Sequence, residues 1–215
     1  MSRPLAGTVA ETYLRRRGIT LLHGTANLRF HPRCYYKPED GPTETWPAMI
    51  AAVTDLTGRI TGAHRTWLAP DGSDKAPIDT PRKAMGDLLG STVRIGEPDT
   101  VMAAGEGIET MLSLRQVLPD MAMAPALSAS HLAAILFPRA LRRLFIVRDK
   151  DPAGDAARET LTERTNAEGI EAICISPALR DLNEDLQQLG IDVLRTGVRV
   201  QLAPEDVPRF LRLNR

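Results

Sequence analysis

Leu144-Phe145-Ile146-Val147-Arg148-Asp149-Lys150-Asp151-Pro152-Ala153-Gly154 is the stretch that decides the fold. Its first four residues form a short apolar run followed at once by charge, so they read as a buried strand. Pro152 is placed to open a helix, because proline is preferred at the first helical position. Strand, acidic turn and helix in that order make a βα unit. In open α/β sheets, ligands bind beyond the carboxyl ends of the strands. Asp149 and Asp151, two residues apart at such an end, can share one hard cation such as Mg²⁺. Each also has a structural reading, Asp151 as the N-cap before Pro152 and Asp149 as a loop acid.

The same grammar recurs on both sides. Thr100-Val101-Met102-Ala103-Ala104 reads as a strand, and Gly105-Glu106-Gly107-Ile108-Glu109 follows it. Glycines on both sides of Glu106 let the backbone turn sharply and a partner approach closely. Met111, Leu112, Leu114, Val117 and Leu118 then mark an amphipathic helix. Downstream, Ala172-Ile173-Cys174-Ile175 reads as another strand, and Asp181-Leu182-Asn183-Glu184-Asp185 follows the turn residues Ser176 and Pro177. Each acidic group has a bland account as a helix cap or first-turn acid. All three, however, follow successive strands of one βα array.

Together, Gly105-Glu106-Gly107, then Asp149-x-Asp151-x-Ala153-Gly154-x-Ala156-Ala157, then Asp181-x-Asn183-Glu184 resemble the Toprim domain of bacterial-type primases, topoisomerases and some nucleases. Met123-Ala124-Pro125-Ala126-Leu127-Ser128-Ala129-Ser130 is similar to the second strand and turn of the primase type. The resemblance covers roughly residues 98–195. It implies a Rossmann-like α/β fold, mainly a parallel sheet with helices on both faces, preceded by a small α+β subdomain. It also implies Mg²⁺ or Mn²⁺ as cofactor. Glu106, Asp149 and Asp151 would be catalytic and metal-binding and Asp181 a further ligand, with Glu109, Asn183 and Asp185 accessory. Two positions depart from the pattern: Thr110 stands where primases place an aspartate, and Asn183 where replicative primases tend to have a second acid.

The first half carries a resemblance of its own. Ala48-Met49-Ile50-Ala51-Ala52-Val53-Thr54, the turn Asp55-Leu56-Thr57-Gly58, and Arg59 to Trp67 read as a hairpin, with the basic segment Pro81-Arg82-Lys83-Ala84 further on. This arrangement resembles the small subdomain beside Toprim in primases, which implies Arg65, Arg82 and Lys83 as the side chains facing nucleic acid or nucleotide phosphates. Helix is expected from Thr8 to Gly18 and from Ala153 to Glu168. Residues 24–48 read as loop-rich because of Pro32, Pro38, Pro42 and Pro47, with only Asn27–Phe30 as a short strand. A last strand is expected at Val198–Leu202 and an amphipathic tail at Pro204–Arg215. The domains so divided are 1–97, 98–197 and 198–215, with a boundary at Glu97-Pro98.

Composition sets the outer bounds. A chain of 215 residues with 43% hydrophobic and 25% charged side chains is ordinary for a globular protein. No apolar run is long enough to span a bilayer, and no signal peptide is legible after Arg15-Arg16-Arg17, so a cytoplasmic location without membrane contact is expected. Cys34 and Cys174 imply no disulfide framework. Net charge is zero, yet residues 1–98 hold 13 Lys and Arg against 10 Asp and Glu, and residues 99–215 hold 14 against 17. The basic half could face a phosphate backbone. Primase-like nucleotidyl transfer is therefore the first expectation, with single-stranded DNA and nucleoside triphosphates as partners and a separate helicase or relaxase beyond them. A nuclease and a non-catalytic nucleic-acid adaptor are the alternatives.

Overall fold

Helix α1 (Val9–Arg16) opens a computed structural model that describes residues 1–97 and 99–211. Four antiparallel strands follow: β1 (Leu28–Tyr36), β2 (Glu44–Thr54), β3 (Ile60–Trp67) and β4 (Arg82–Gly86). They lie in sequence order in the sheet, and the short β5 (Thr92–Val93) adds to β2. The second half alternates strand and helix: β6 (Val101–Gly105), α2 (Ile108–Val117), β7 (Ala122–Pro125), α3 (Ala129–Ala133), β8 (Arg143–Val147), α4 (Pro152–Ala167) and β9 (Glu171–Ile175). Helices α5 (Leu182–Gln188), α6 (Ile191–Arg199) and α7 (Asp206–Phe210) complete the described chain. The four strands of this half are parallel, in the order β7-β6-β8-β9.

Side-chain alternation explains the layers. Met102, Ala104, Leu144 and Ile146 point to one face and pack under α3 and α4 with Leu132, Ala157 and Leu161. Val101, Ala103, Phe145 and Val147 point to the other, toward Met111, Leu112 and Leu114 of α2. That second core continues into the first half, through Tyr13 and Leu14 of α1 and Met49, Ala51 and Val53 of β2. Backbone bonds join the segment after β5 to β7 of the parallel sheet, since Ile95 and Met123 exchange N–H···O bonds of 2.9 and 2.8 Å. The α/β fold with helices on both faces and a small antiparallel subdomain in front is thus as expected.

Three expectations need correction. Residues 24–48 are not mainly loop: β1 runs to Tyr36 and β2 begins at Glu44. Pro32 and Pro47 fall inside the register shift between the pairs His31–Ala48 and Cys34–Trp46, where the ladder is already interrupted. Proline is tolerated at such irregularities, so it does not break these strands. Val198–Leu202 is not a strand, because Val198 belongs to α6 and is buried with Leu194 one turn earlier, a helical spacing. The tail forms α7, with Phe210 buried, and its last residues 212–215 lie outside the described residues. Pro98, on which the expected boundary falls, does too.

Candidate active site

Adjacent strand ends set the floor. Gly105 of β6 pairs with Val147 of β8, and Val147 with Ile175 of β9. Glu106 directly follows the first strand, Asp149 lies two residues past the second, and Asp181 comes after the turn that follows the third. The Asp149 turn is tight: a Cβ on Gly154 would sit 2.4 Å from the Asp149 carbonyl oxygen, so only glycine lets α4 begin there. Asp151 caps α4 by accepting from the Gly154 amide at 2.7 Å. Asp181 caps α5 by accepting from the Asn183 and Glu184 amides at 2.8 Å each. Both structural readings hold, and both carboxylates also border open space.

Two adjoining clefts meet over this floor. One, of about 560 Å³, is bordered by His64, Arg82, Glu106, Leu127, Asp149 and Asp151. The other, of about 390 Å³, is bordered by Arg17, Lys75, Arg82, Arg180, Asp149 and Asp181. The acids come from the parallel sheet, while His64, Lys75 and Arg82 come from the antiparallel subdomain. The acids repel one another. Burial pushes the Asp149 carboxyl up to about 7, with further upward push from the charges of Glu106, Asp181 and Asp151 against a smaller pull from Arg180. Burial also raises Glu106, with Asp151 adding to it and the Ala129 amide opposing. Glu106 Oε1 and Asp149 Oδ1 are buried without any hydrogen-bond partner. Buried polar atoms without partners are rare and costly, and unpaired carboxylate oxygens facing other carboxylates suit a divalent cation. Among the described residues, no three His, Cys, Asp or Glu side chains converge closely enough to hold a metal ion by themselves. The donor set fits Mg²⁺ or Mn²⁺ in the open manner in which such ions keep water and phosphate oxygens as remaining ligands.

The three accessory candidates are each engaged in hydrogen bonds. Asp185 is buried and accepts from the Ala178 and Leu179 amides at 2.8 and 2.7 Å, so both of its oxygens brace the turn after β9. Asn183 is buried; its Oδ1 accepts from Arg17 at 3.1 Å, and its amide group donates to the Arg17 carbonyl and to Ser113 Oγ. Glu109 accepts from the Tyr13 hydroxyl at 2.7 Å, inside the protein. Glu109 thus ties α2 to α1, and Asn183 ties α5 to Arg17 and to α2, while both also border the smaller cleft.

The basic trio is split by strand register. Thr66 pairs with Arg82 and Arg65 with Lys83. Adjacent residues of a strand face opposite ways, so Arg82 shares the cleft face with His64, and Arg65 takes the other. There the Arg65 guanidinium lies 4.9 Å above the Trp67 ring, and the Lys83 ammonium 5.1 Å from the Tyr36 ring. Lys83 borders the larger cleft, but its ammonium donates to the Lys37 carbonyl at 3.3 Å. Sequence reading missed Arg17, Lys75 and Arg180 as cleft cations. It also passed over Ser128 and His131, which border the larger cleft and lie 3.1 Å apart from Oγ to Nδ1. Of these, only Ser128 carries a signal in the sequence, as a residue able to cap a helix after a strand.

Comparison with known proteins agrees with this geometry. Residues 101–192 match the Toprim domain, and residues 1–95 match a domain of unknown function, DUF7146. No curated protein sequence matches the chain. Among solved structures, the zinc-binding and RNA polymerase domains of the Aquifex aeolicus primase are similar at a TM-score of 0.64 and 15% identity, over 93% of this chain and 57% of that one. A DNA primase domain from Pseudomonas aeruginosa gives 0.59 and 16%, over 92% and 73%. The RNA polymerase domain of the Mycobacterium tuberculosis primase, in complex with a double-stranded DNA oligomer with an overhang, gives 0.53 and 14%, over 90% and 74%. Residues 101–192 are therefore a Toprim domain, and the chain as a whole has a primase-like fold. It spans little more than half the length of the Aquifex structure.

Proposed function

We propose that this chain carries out metal-dependent nucleotidyl transfer on nucleic acid, in the manner of a primase. The observation that supports it most is the pair of buried, partnerless oxygens on Glu106 and Asp149, set beneath cations supplied by the other subdomain. Asp149, Asp151 and Asp181 would hold Mg²⁺ or Mn²⁺, with Glu106 as a further ligand or as general acid/base. When bound, the cation neutralises phosphate charge and draws attacking and leaving oxygens into line. The rest falls to side chains of the chain. Lys75, Arg82 and Arg180 attract and orient the phosphates of a nucleoside triphosphate. Glu106, whose proton affinity is already raised by burial and by Asp151, is suited to accept the proton of an attacking 3′-hydroxyl.

Single-stranded DNA and nucleoside triphosphates are the proposed substrates, and a helicase or relaxase encoded separately is the proposed partner. Among the described residues, no helix is long and apolar enough to cross a membrane. The division at 97 and 197 is proposed as the domain organisation, in keeping with the two family matches. The test is incubation of the protein with single-stranded DNA, labelled ribonucleotides and Mg²⁺ or Mn²⁺, followed by a denaturing gel. Short labelled primers are expected. Shortened template strands would mark a nuclease instead, and neither product would mark a non-catalytic adaptor.

A further inference from the structure

The walls of the cleft differ in kind. The smaller part is cationic, with Arg17, Lys75 and Arg180. The larger part adds the apolar Ala84 and Leu127 and the hydrogen-bonding side chains of His64, Ser128 and His131, besides Glu106 and a Lys83 whose ammonium is engaged with the Lys37 carbonyl, and Arg82, Asp149 and Asp151 border both parts. The carboxylates thus stand where a cationic region meets one that offers apolar contact and hydrogen-bonding side chains.

Besides the carboxylates Glu106 and Asp149, His64 is a group of that second wall with an unmet bond. Strand β3 places it beside Ala51 and Ala84, the residue is 8% exposed, and its buried Nδ1 has no partner. Burial, and after it the charges of Arg82 and Arg65, hold the ring neutral against the opposing pull of Glu109. A neutral imidazole is a poor phosphate ligand and a good hydrogen-bonding partner for an uncharged group. Leu127 is strained. Its φ of 80° is costly for a side chain of its bulk. It is held there as its amide donates to the Glu106 carbonyl at 2.8 Å and the Ala126 amide donates to the Gly105 carbonyl at 2.8 Å. Such strain persists only where the surroundings impose it, and it gathers at ligand sites.

We infer that His64 and Leu127 form the subsite for the nucleoside moiety of a nucleotide, His64 by a hydrogen bond and Leu127 by apolar contact, while the phosphates lie toward Lys75 and Arg180. The inference rests on the nucleotide-binding reading above and adds to it a specificity determinant from the antiparallel subdomain. Neither residue needs to touch the reacting atoms.

The experiment compares equilibrium binding of ATP with that of inorganic tripolyphosphate, both with Mg²⁺, on the intact chain and its variants. His64→Ala is expected to weaken ATP binding roughly threefold to tenfold, the value of one neutral hydrogen bond, and to leave tripolyphosphate unchanged. Leu127→Gly should follow the same pattern, and Arg82→Ala should weaken both ligands. If His64→Ala does not fold, His64→Gln is read by the same criterion. Unchanged ATP affinity overturns the assignment, as does an equal loss for tripolyphosphate, which would place His64 among the phosphate-binding groups. Wild-type protein that binds tripolyphosphate as tightly as ATP has no nucleoside subsite, and one that binds neither overturns the nucleotide reading as well.

Discussion

The Tyr13 hydroxyl donates to the Glu109 carboxylate at 2.7 Å, joining α1 to the first turn of α2 within the core. Burial works against the charge on Glu109. The Tyr13 bond, the residue's own amide, Lys75 and Arg82 outweigh burial and hold the carboxyl below its usual range. The acid next to Thr110 thereby fastens the two subdomains while it borders the smaller cleft. Tyr13→Phe removes one hydrogen bond and leaves a buried anion short of a donor. It should cost about 2–3 kcal/mol, measured by urea unfolding. Unaltered stability would show that Glu109 finds another donor.

The acid cluster makes a paired prediction. Calorimetric titration of Mn²⁺ should show binding to the wild type and none to the Asp149→Ala/Asp151→Ala double variant, and equal heats would remove the metal site. Without metal, Asp149→Asn should be more stable than wild type near neutral pH. The Asp149 carboxyl is raised in the folded state to about 7, so its contribution is fully present below the unfolded value and lost as pH rises toward 7. The gap between variant and wild type should therefore open over that range. It should amount to about 2–3 kcal/mol once partial exposure is allowed for.

His64 predicts the opposite slope. Its folded value is lowered to about 4, chiefly by burial. Stability from the neutral ring is present above the unfolded value of about 6.5 and is lost as pH falls toward 4. The difference between wild type and His64→Gln, followed by thermal unfolding, should shift against the wild type by about 3 kcal/mol across that window. A pH-independent difference would mean that the ring is solvated and titrates normally.

Much of this architecture was legible in the sequence. Leu144–Val147 with Asp149 and Asp151 marked a strand, a turn and a helix start, because local pattern and capping chemistry agree there. Asp151 as a cap and as a cleft residue required no choice between the two. What failed depended on pairing. Pro32 and Pro47 read as breakers until the register shift placed both at one irregularity. Arg65, Arg82 and Lys83 looked like one basic set, although a period of two residues sends Arg65 to the far face. The bonds that hold Asn183 and Asp185, to Arg17, Ser113, Ala178 and Leu179, come from distant segments or the turn backbone and leave no local pattern. Lys75 and Arg180 lie in loops whose course no periodicity records.

That split yields a test on the cations. Arg82→Ala should weaken binding of single-stranded DNA or tripolyphosphate and flatten the dependence on salt, by about one unit of slope or less for each phosphate that Arg82 neutralises in the wild type. Arg65→Ala should leave the slope unaltered and lower stability modestly, since the guanidinium stacked on Trp67 is worth roughly 0.5–1 kcal/mol. Equal effects on the salt slope would put phosphate on both faces of the antiparallel sheet.

Glu106 separates an enzyme from an adaptor. Glu106→Gln keeps the size of the side chain and its acceptor oxygen and deletes the charge. If the chain synthesises primers, the variant should lose about 10²–10⁴ of the rate, the usual worth of a general acid or base, and more if Glu106 is also a metal ligand. Nucleic-acid binding should be nearly unchanged, because the cations of the cleft come from elsewhere in the fold. Stability without metal should rise slightly, since one of the charges that repel Asp149 is gone. A structural role for Glu106 would lower stability and activity together. Loss of activity with gain of stability is the combination that a catalytic site under electrostatic strain requires. A variant that makes primers at the wild-type rate would reduce Glu106 to a turn residue and shift the chemistry to Asp149 and Asp151 alone.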